Sequence, residues 1–266
     1  MKVAVAQLKS SSDKQANLQK AKEYIKKAKD LGADFVLLPE MYMAFLHPKL
    51  GPSRYAEVAE PLDGPFVSAL AECAKENQVY VICGIYESEP GESNRVFNTT
   101  VFLGRNGELL QSYHKTHLYD AFNYKESDSI IPGKVPQDII ETEFGKVGLM
   151  VCYEIRFPEI SRRLAMKGAD FLFIPAAWVD GVMKEEHWKT LLRARAIENT
   201  VYVFAADQIG NGFSGQSMII DPMGVVKANA GEEETIILSE IDLERIKRVR
   251  EKLPSVADRR AEFYDM

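Results

Sequence analysis

"LGADFVLLPEM" at residues 31–41 and "KGADFLFIPAAW" at residues 167–178 are two versions of one phrase. In each, a helical stretch stops at a glycine, Ala-Asp-Phe opens an unbroken apolar run, and the run closes at a proline. Glycine just past the last periodic residue is a helix stop. A short continuous apolar run, rather than an alternating one, belongs to a strand covered on both faces. A phrase of this kind in each half of the chain predicts an α/β protein with internal pseudo-symmetry. Its architecture would be two β-sheets stacked face to face with helices outside; chance recurrence of a common helix–Gly–strand join is the competing explanation.

The pattern around the two phrases supports such halves. "KVAVAQL" (2–8) reads as a strand, and Leu18, Ala21, Ile25 and Ala28 fall at helical spacing behind Ser12 or Asp13 as N-cap. Helix "PFVSALAECAKENQ" leads into strand "VYVICGIYE", and two strands flank Asn106-Gly107, a hairpin turn signal. In the second half "QDIIETEF", "KVGLMVC", a helix near 158–167, a helix over 184–198 and "TVYVFAAD" follow in turn. "GQSMIIDPMGVVKAN" reads as strand, turn, strand, and "TIILSEID" as a last strand before the charged helix "LERIKRVREK". Between the halves, Thr116–Pro136 is polar and turn-rich yet keeps Tyr119, Phe122 and Tyr124, the mark of a functional loop rather than a linker. No shift in composition marks a boundary, so residues 1–266 are expected to form one domain.

Bulk properties narrow the function classes. A net charge of −6 without runs of one sign disfavours nucleic-acid binding. No apolar run approaches a membrane span, and the N-terminal apolar stretch is too short for a signal peptide. Cys73, Cys83 and Cys152 are odd in number and lack CxxC spacing, which fits a reducing cytoplasm and offers no zinc site.

Three chemically competent side chains share one context, the C-terminal end of an apolar strand: Glu40 after "FVLLP", Lys115 after "LLQSYH" and Cys152 after "KVGLMV". Strand ends in helix-covered sheets are where sites collect. Each residue alone has a bland reading, a solvated rim charge or a core thiol. Together they make a workable acyl-transfer set: a thiol nucleophile, a carboxylate base and a lysine for the oxyanion. A Cys–His arrangement using His114 or His117 of "HKTH" is the alternative, and that motif lacks the HExxH pattern of a zinc site.

"LLPE", "YHKTHLYD" and "GLMVCYEIRFPE", in this order and spacing, resemble the nitrilase superfamily of carbon–nitrogen hydrolases, as do "HWKTLLRARAIENTVYV", "GQSMIIDPMG" and "LPSVADRRAEFY". The resemblance spans essentially the whole chain. It implies a four-layer α-β-β-α sandwich with two stacked mixed sheets, and assembly into homodimers or larger homo-oligomers. The C-terminal helix and tail, 242–266, are expected to contribute to those contacts. It also implies Cys152 as nucleophile, Glu40 as general base and Lys115 as the oxyanion-stabilising lysine, with no metal or organic cofactor. "NYKES" (123–127) resembles a loop motif of the family and makes Glu126 a fourth catalytic candidate.

Cys-Tyr-Glu, where nitrilases carry Cys-Trp-Glu, is similar to the Cys-Tyr-Asp-x-Arg-Phe-Pro-Glu pattern of omega-amidases and other small-amide amidases, with Glu154 departing from it. The expected activity is hydrolysis of a small carboxamide, such as an ω-amide of a dicarboxylic acid, through a cysteine thioester. Nitrile hydrolysis and N-carbamoyl amide hydrolysis are the alternative activities; amide formation and a non-catalytic scaffold are further alternatives. Tyr153, Arg156 and Trp178 are the substrate-binding candidates. Arg156 has two readings, a partner for a substrate carboxylate or an ion pair with Glu154 or Glu159. Trp178 also has two, pocket wall or core packing. Pocket shape is expected to depend on loops 41–55, 116–135 and 178–186.

Overall fold

The computed structural model describes residues 1–47 and 51–264. Residues 48–50 of the 41–55 loop and the last two residues of the 242–266 segment lie outside the described residues. The first half runs β1 (Lys2–Gln7), α1 (Lys14–Asp30), β2 (Phe35–Leu37), α2 (Ser53–Val58), α3 (Pro65–Asn77), β3 (Tyr80–Glu87), β4 (Phe97–Leu103) and β5 (Leu109–His114). The 116–136 loop holds a small hairpin, β6 (Asp120–Ala121) with β7 (Tyr124–Lys125), and a 3-10 turn, Glu126–Asp128. The second half follows as β8 (Ile140–Thr142), β9 (Gly145–Leu149), α4 (Pro158–Met166), β10 (Phe171–Ala176), α5 (Lys184–Asn199) and β11 (Tyr202–Asp207). A short hairpin, β12 (Ile209–Gly210) with β13 (Phe213–Ser214), precedes β14 (Met218–Ile220), β15 (Val226–Asn229), β16 (Thr235–Glu240) and α6 (Leu243–Lys252).

The two sheets mirror each other. One has the order β16-β1-β2-β3-β4-β5, the other β8-β9-β10-β11-β14-β15. In each, three parallel strands form the middle and antiparallel strands flank them, so both sheets are mixed. The repeated phrase supplies the middle strand of each, β2 and β10.

The reason lies in the repeated aspartate. Asp34 Oδ2 accepts the N–H of Lys2 at 2.8 Å, and Asp170 Oδ2 accepts that of Lys146 at 3.1 Å. The backbones match as well: Asp34 N–H donates to Lys2 O and its own carbonyl accepts from Tyr80 N–H, while Asp170 bonds Lys146 and Tyr202 in the same way. One side chain in each half thus fixes the register of the first strand against the second. Gly32 (φ +86°) and Gly168 (φ +93°) make the left-handed turn that brings each helix back to this point.

Alternation along β2 explains its unbroken apolar run. Phe35 and Leu37 face the second sheet, and Val36 and Leu38 face α1 and α3. Phe35 meets Phe173 of β10 across the sheet interface with ring centroids 5.5 Å apart. On the outside, Leu18, Ala21, Ile25 and Ala28 of α1 and Phe66, Val67, Leu70 and Ala74 of α3 cover the first sheet. Leu164 of α4 and Trp188, Leu192 and Ala196 of α5 cover the second. Asp13 is the N-cap of α1, accepting the N–H groups of Gln15 and Ala16. The result is the four-layer α-β-β-α sandwich. No described helix is long and apolar enough to cross a membrane.

Candidate active site

β2 ends at Leu37, and three residues later Glu40 turns inward, 1% exposed. Its seat is shaped by Gly84 on β3, where a Cβ would stand 2.5 Å from Glu40 Cα. Any side chain at Gly84 would therefore push Glu40 out of place. The carboxylate is fixed at both oxygens: Oε1 accepts from Lys115 Nζ (2.9 Å) and Asn98 Nδ2 (2.7 Å), and Oε2 accepts from the Ala177 N–H (2.7 Å). Ala177 follows β10, so one bond ties Glu40 of the first sheet to the end of the second.

Lys115 stands directly after β5 and is 2% exposed. Its ammonium also binds Glu126, at 2.9 Å to Oε2 and 3.2 Å to Oε1. Glu126, 3% exposed, additionally accepts from Asn98 Nδ2 (3.1 Å) and the Tyr119 N–H (2.6 Å). Burial alone would push the Lys115 ammonium down, but the charges of Glu126 and Glu40 override it and hold it well above the usual lysine range. The lysine is a permanent cation between two buried carboxylates.

Cys152 lies three residues beyond the end of β9, 7% exposed, with φ +46°. This left-handed backbone is uncommon outside glycine and opens the 3-10 turn Cys152–Arg156. Glu154 anchors that turn. Its Oε2 accepts the Val151 N–H (2.8 Å), and Oε1 accepts from Tyr113 Oη (2.8 Å), Thr116 N–H (2.9 Å) and Thr116 Oγ1 (2.7 Å). One buried carboxylate thus clamps the Cys152 turn to the segment that carries Lys115. Burial would raise the Glu154 carboxyl, but hydrogen bonds from His117, Thr116 and Tyr113 bring it below the ordinary range. The thiol behaves oppositely: burial and the charge of Glu40 raise Cys152 well above the ordinary thiol range, against the pull of Lys115 and the Ala177 N–H. Cys152 therefore rests as a thiol and reacts only when a neighbour takes its proton.

Glu40, Lys115, Glu126, Cys152, Tyr153 and Trp178 all line one cavity of about 620 Å³. Trp178 is 2% exposed, packs on Trp188 and lines the cavity. Arg156 is not among the lining residues. Its guanidinium stacks on Trp178 (4.7 Å) and lies 5.9 Å from the Tyr153 ring, and among the described residues it has no carboxylate partner. Neither His114 nor His117 lines the cavity: His114 stacks on Phe97 and contacts Glu87, and His117 packs on Phe157.

Sequence reading missed Asn98, which bridges the two carboxylates from the start of the first sheet's β4, and Lys184, which enters the cavity from the start of α5. A strand asparagine has no local signal. A lysine at a helix start resembles a solvated residue.

Comparison with known proteins agrees with this geometry. Residues 2–251 match the carbon-nitrogen hydrolase family model. The deaminated glutathione amidase of Escherichia coli O157:H7 is 38% identical over 260 residues, covering 98% of this chain and 97% of that protein. The crystal structure of a Saccharomyces cerevisiae member of branch 10 of the nitrilase superfamily is 33% identical, covers 98% of this chain and 96% of its own, and superposes with a TM-score of 0.88. A variant amidase from Nesterenkonia sp. AN1 is 25% identical, covers 99% of this chain and 95% of its own, and has a TM-score of 0.84; it carries the acetamide moiety of fluoroacetamide on its active-site cysteine. The chain belongs to the carbon-nitrogen hydrolase family of the nitrilase superfamily, and is a cysteine-dependent hydrolase of that group.

Proposed function

We propose that Cys152, Glu40, Lys115 and Glu126 are the catalytic residues of an amidase that converts a small linear carboxamide to the carboxylic acid and ammonia. The observation that carries this reading is the convergence of a buried thiol, a doubly anchored carboxylate and a doubly paired lysine on one cavity. The deaminated glutathione amidases among the relatives support an amide rather than a nitrile as substrate.

Glu40 takes the Cys152 proton as sulfur bonds to the amide carbon, and the carbonyl oxygen becomes an oxyanion beside Lys115 and the Tyr153 N–H. The C–N bond then breaks, Glu40 returns the proton to the departing nitrogen, and ammonia leaves a thioester on Cys152. Glu40 deprotonates a water that attacks the thioester, releasing the acid and restoring the thiol. Glu126 orients Lys115, and its contact with the Tyr119 N–H sets the 116–136 loop over the site. Tyr153 and Trp178 form part of the substrate wall.

The reading extends to the whole chain as a single domain in a homodimer or larger homo-oligomer. Segment 242–266 would be one contact, supported by the exposed apolar side chains of Leu253, Phe263 and Tyr264. A cytoplasmic location is supported by three unpaired cysteines.

Purified protein assayed for ammonia against matched small carboxamides and nitriles tests the activity. Carboxamides should give equimolar acid and ammonia. Nitrile turnover without amide turnover would overturn the reading.

A further inference from the structure

Lys184 is a charged residue of the cavity lining that this mechanism leaves unused. It is 5% exposed, yet among the described residues it forms no ion pair. Its ammonium sits in an aromatic cage, 4.7 Å from the Trp178 ring, 4.8 Å from Tyr119 and 5.0 Å from Phe122. The single hydrogen bond it donates goes to Tyr119 Oη at 3.1 Å. An ammonium has three donors, so two remain.

Lys115 supplies the contrast. The same kind of group in the same cavity holds two carboxylates. Aromatic faces attract a cation but do not neutralise it, and a buried charge without a counter-ion is unfavourable. Two nearby carboxylates are otherwise occupied or distant. Asp207 accepts from the Trp178 N–H and Ser214 Oγ, and Asp180, exposed at the cavity lining, makes no ion pair with Lys184. The cage is built rather than accidental. Left-handed Met183 (φ +62°) precedes α5, and the Trp178 indole N–H donates to the Lys184 carbonyl at 2.8 Å, locking wall and lysine together.

We propose that Lys184 is the specificity residue of this site, binding a carboxylate at the far end of the substrate, so that the preferred amides are anionic. The inference rests on the amidase reading above. It assigns to Lys184 the role that the sequence offered to Arg156, whose guanidinium lies against Trp178 without being part of the lining. Tyr119 then joins two tasks, since its N–H holds Glu126 and its hydroxyl holds Lys184.

The test compares the free-acid amides succinamate and glutaramate with branched alkyl amides of the same shape, isopropyl replacing the carboxylate. Wild-type protein should favour each anionic amide by about 30-fold or more in kcat/KM, the scale of a hydrogen bond to a charged group. Lys184→Met should reduce that ratio to about threefold or less, chiefly through KM of the anionic amide; Arg156→Met should keep it. Lys184→Gln serves as the second variant if Lys184→Met does not fold. Turnover of the neutral amides with no anionic preference, or a preference that survives loss of Lys184, overturns the proposal and leaves the amidase reading standing. Failure to hydrolyse any amide overturns both.

Discussion

Lys115→Met separates the two tasks of the central lysine. The substitution leaves a side chain of similar length and removes the charge that Glu40 and Glu126 share at 2.9 Å each. Both carboxylates then remain buried, joined through Asn98 Nδ2 alone. The two oxygens that share this nitrogen lie within about 6 Å of one another, where like charges repel by about 3 kcal/mol at an effective dielectric near 20. Folding stability should fall by that order, in line with the cost of breaking a buried pair. Catalysis should fall separately, because losing one oxyanion donor costs about 3 kcal/mol, or a factor of about 100 to 1,000 in rate.

The double variant Lys115→Met/Glu126→Gln removes the repulsion but not the catalytic defect. Urea unfolding followed by the fluorescence of buried Trp178 and Trp188, with ammonia release on the same samples, reads both quantities. The double variant should regain most of the lost stability while its turnover stays at least about 100-fold below wild type. Recovery of turnover to within about tenfold would mean that Lys115 only balances charge, and the oxyanion assignment would fall.

Glu154→Gln should cost about 2–4 kcal/mol near neutral pH, since an amide nitrogen would face donors that now meet a carboxylate. The folded Glu154 carboxyl lies below its ordinary 4.5, so its stabilisation is present above that pH and disappears as pH falls through the lower folded value. The urea-midpoint gap between wild type and variant should therefore close in acid; a gap independent of pH contradicts the clamp. Asp34→Ala and Asp170→Ala should each lose about 1 kcal/mol from the register bond. Asp170→Ala should lose more because it also releases Arg250, paired at 3.1 Å; a neutral Asp34→Ala would remove the reason offered for the repeated phrase.

The repeated phrase made the architecture legible because its parts act locally. The glycine ends a helix, the aspartate takes an amide near the start of the neighbouring strand, and the apolar run marks burial on both faces. Glu40, Lys115 and Cys152 were visible only as a set: each alone reads as a solvated rim charge or a core thiol, but a carboxylate, a lysine and a thiol at three strand ends make an acyl-transfer apparatus. Glu126 had no such signal and emerged only through resemblance, since a glutamate in a polar loop reads as solvated until Lys115 and Asn98 meet it. The hairpins β6–β7 and β12–β13 escaped notice because two-residue strands carry no periodicity. Cys152 was expected to end its strand, but β9 stops at Leu149 and the thiol is presented from a left-handed turn. Lys184 was invisible because its burial comes from Trp178, Tyr119 and Phe122, residues brought to it by two separate loops.

Peptide mass mapping of wild-type protein, acid-quenched during turnover of a small carboxamide, reveals which side chain carries the acyl group. The peptide containing Cys152, and neither the Cys73 nor the Cys83 peptide, should carry the acyl group of the substrate without its nitrogen, as a hydroxylamine-labile thioester. Turnover with the acyl group on a different residue, or with Cys152 unmodified throughout, would contradict Cys152 as the nucleophile.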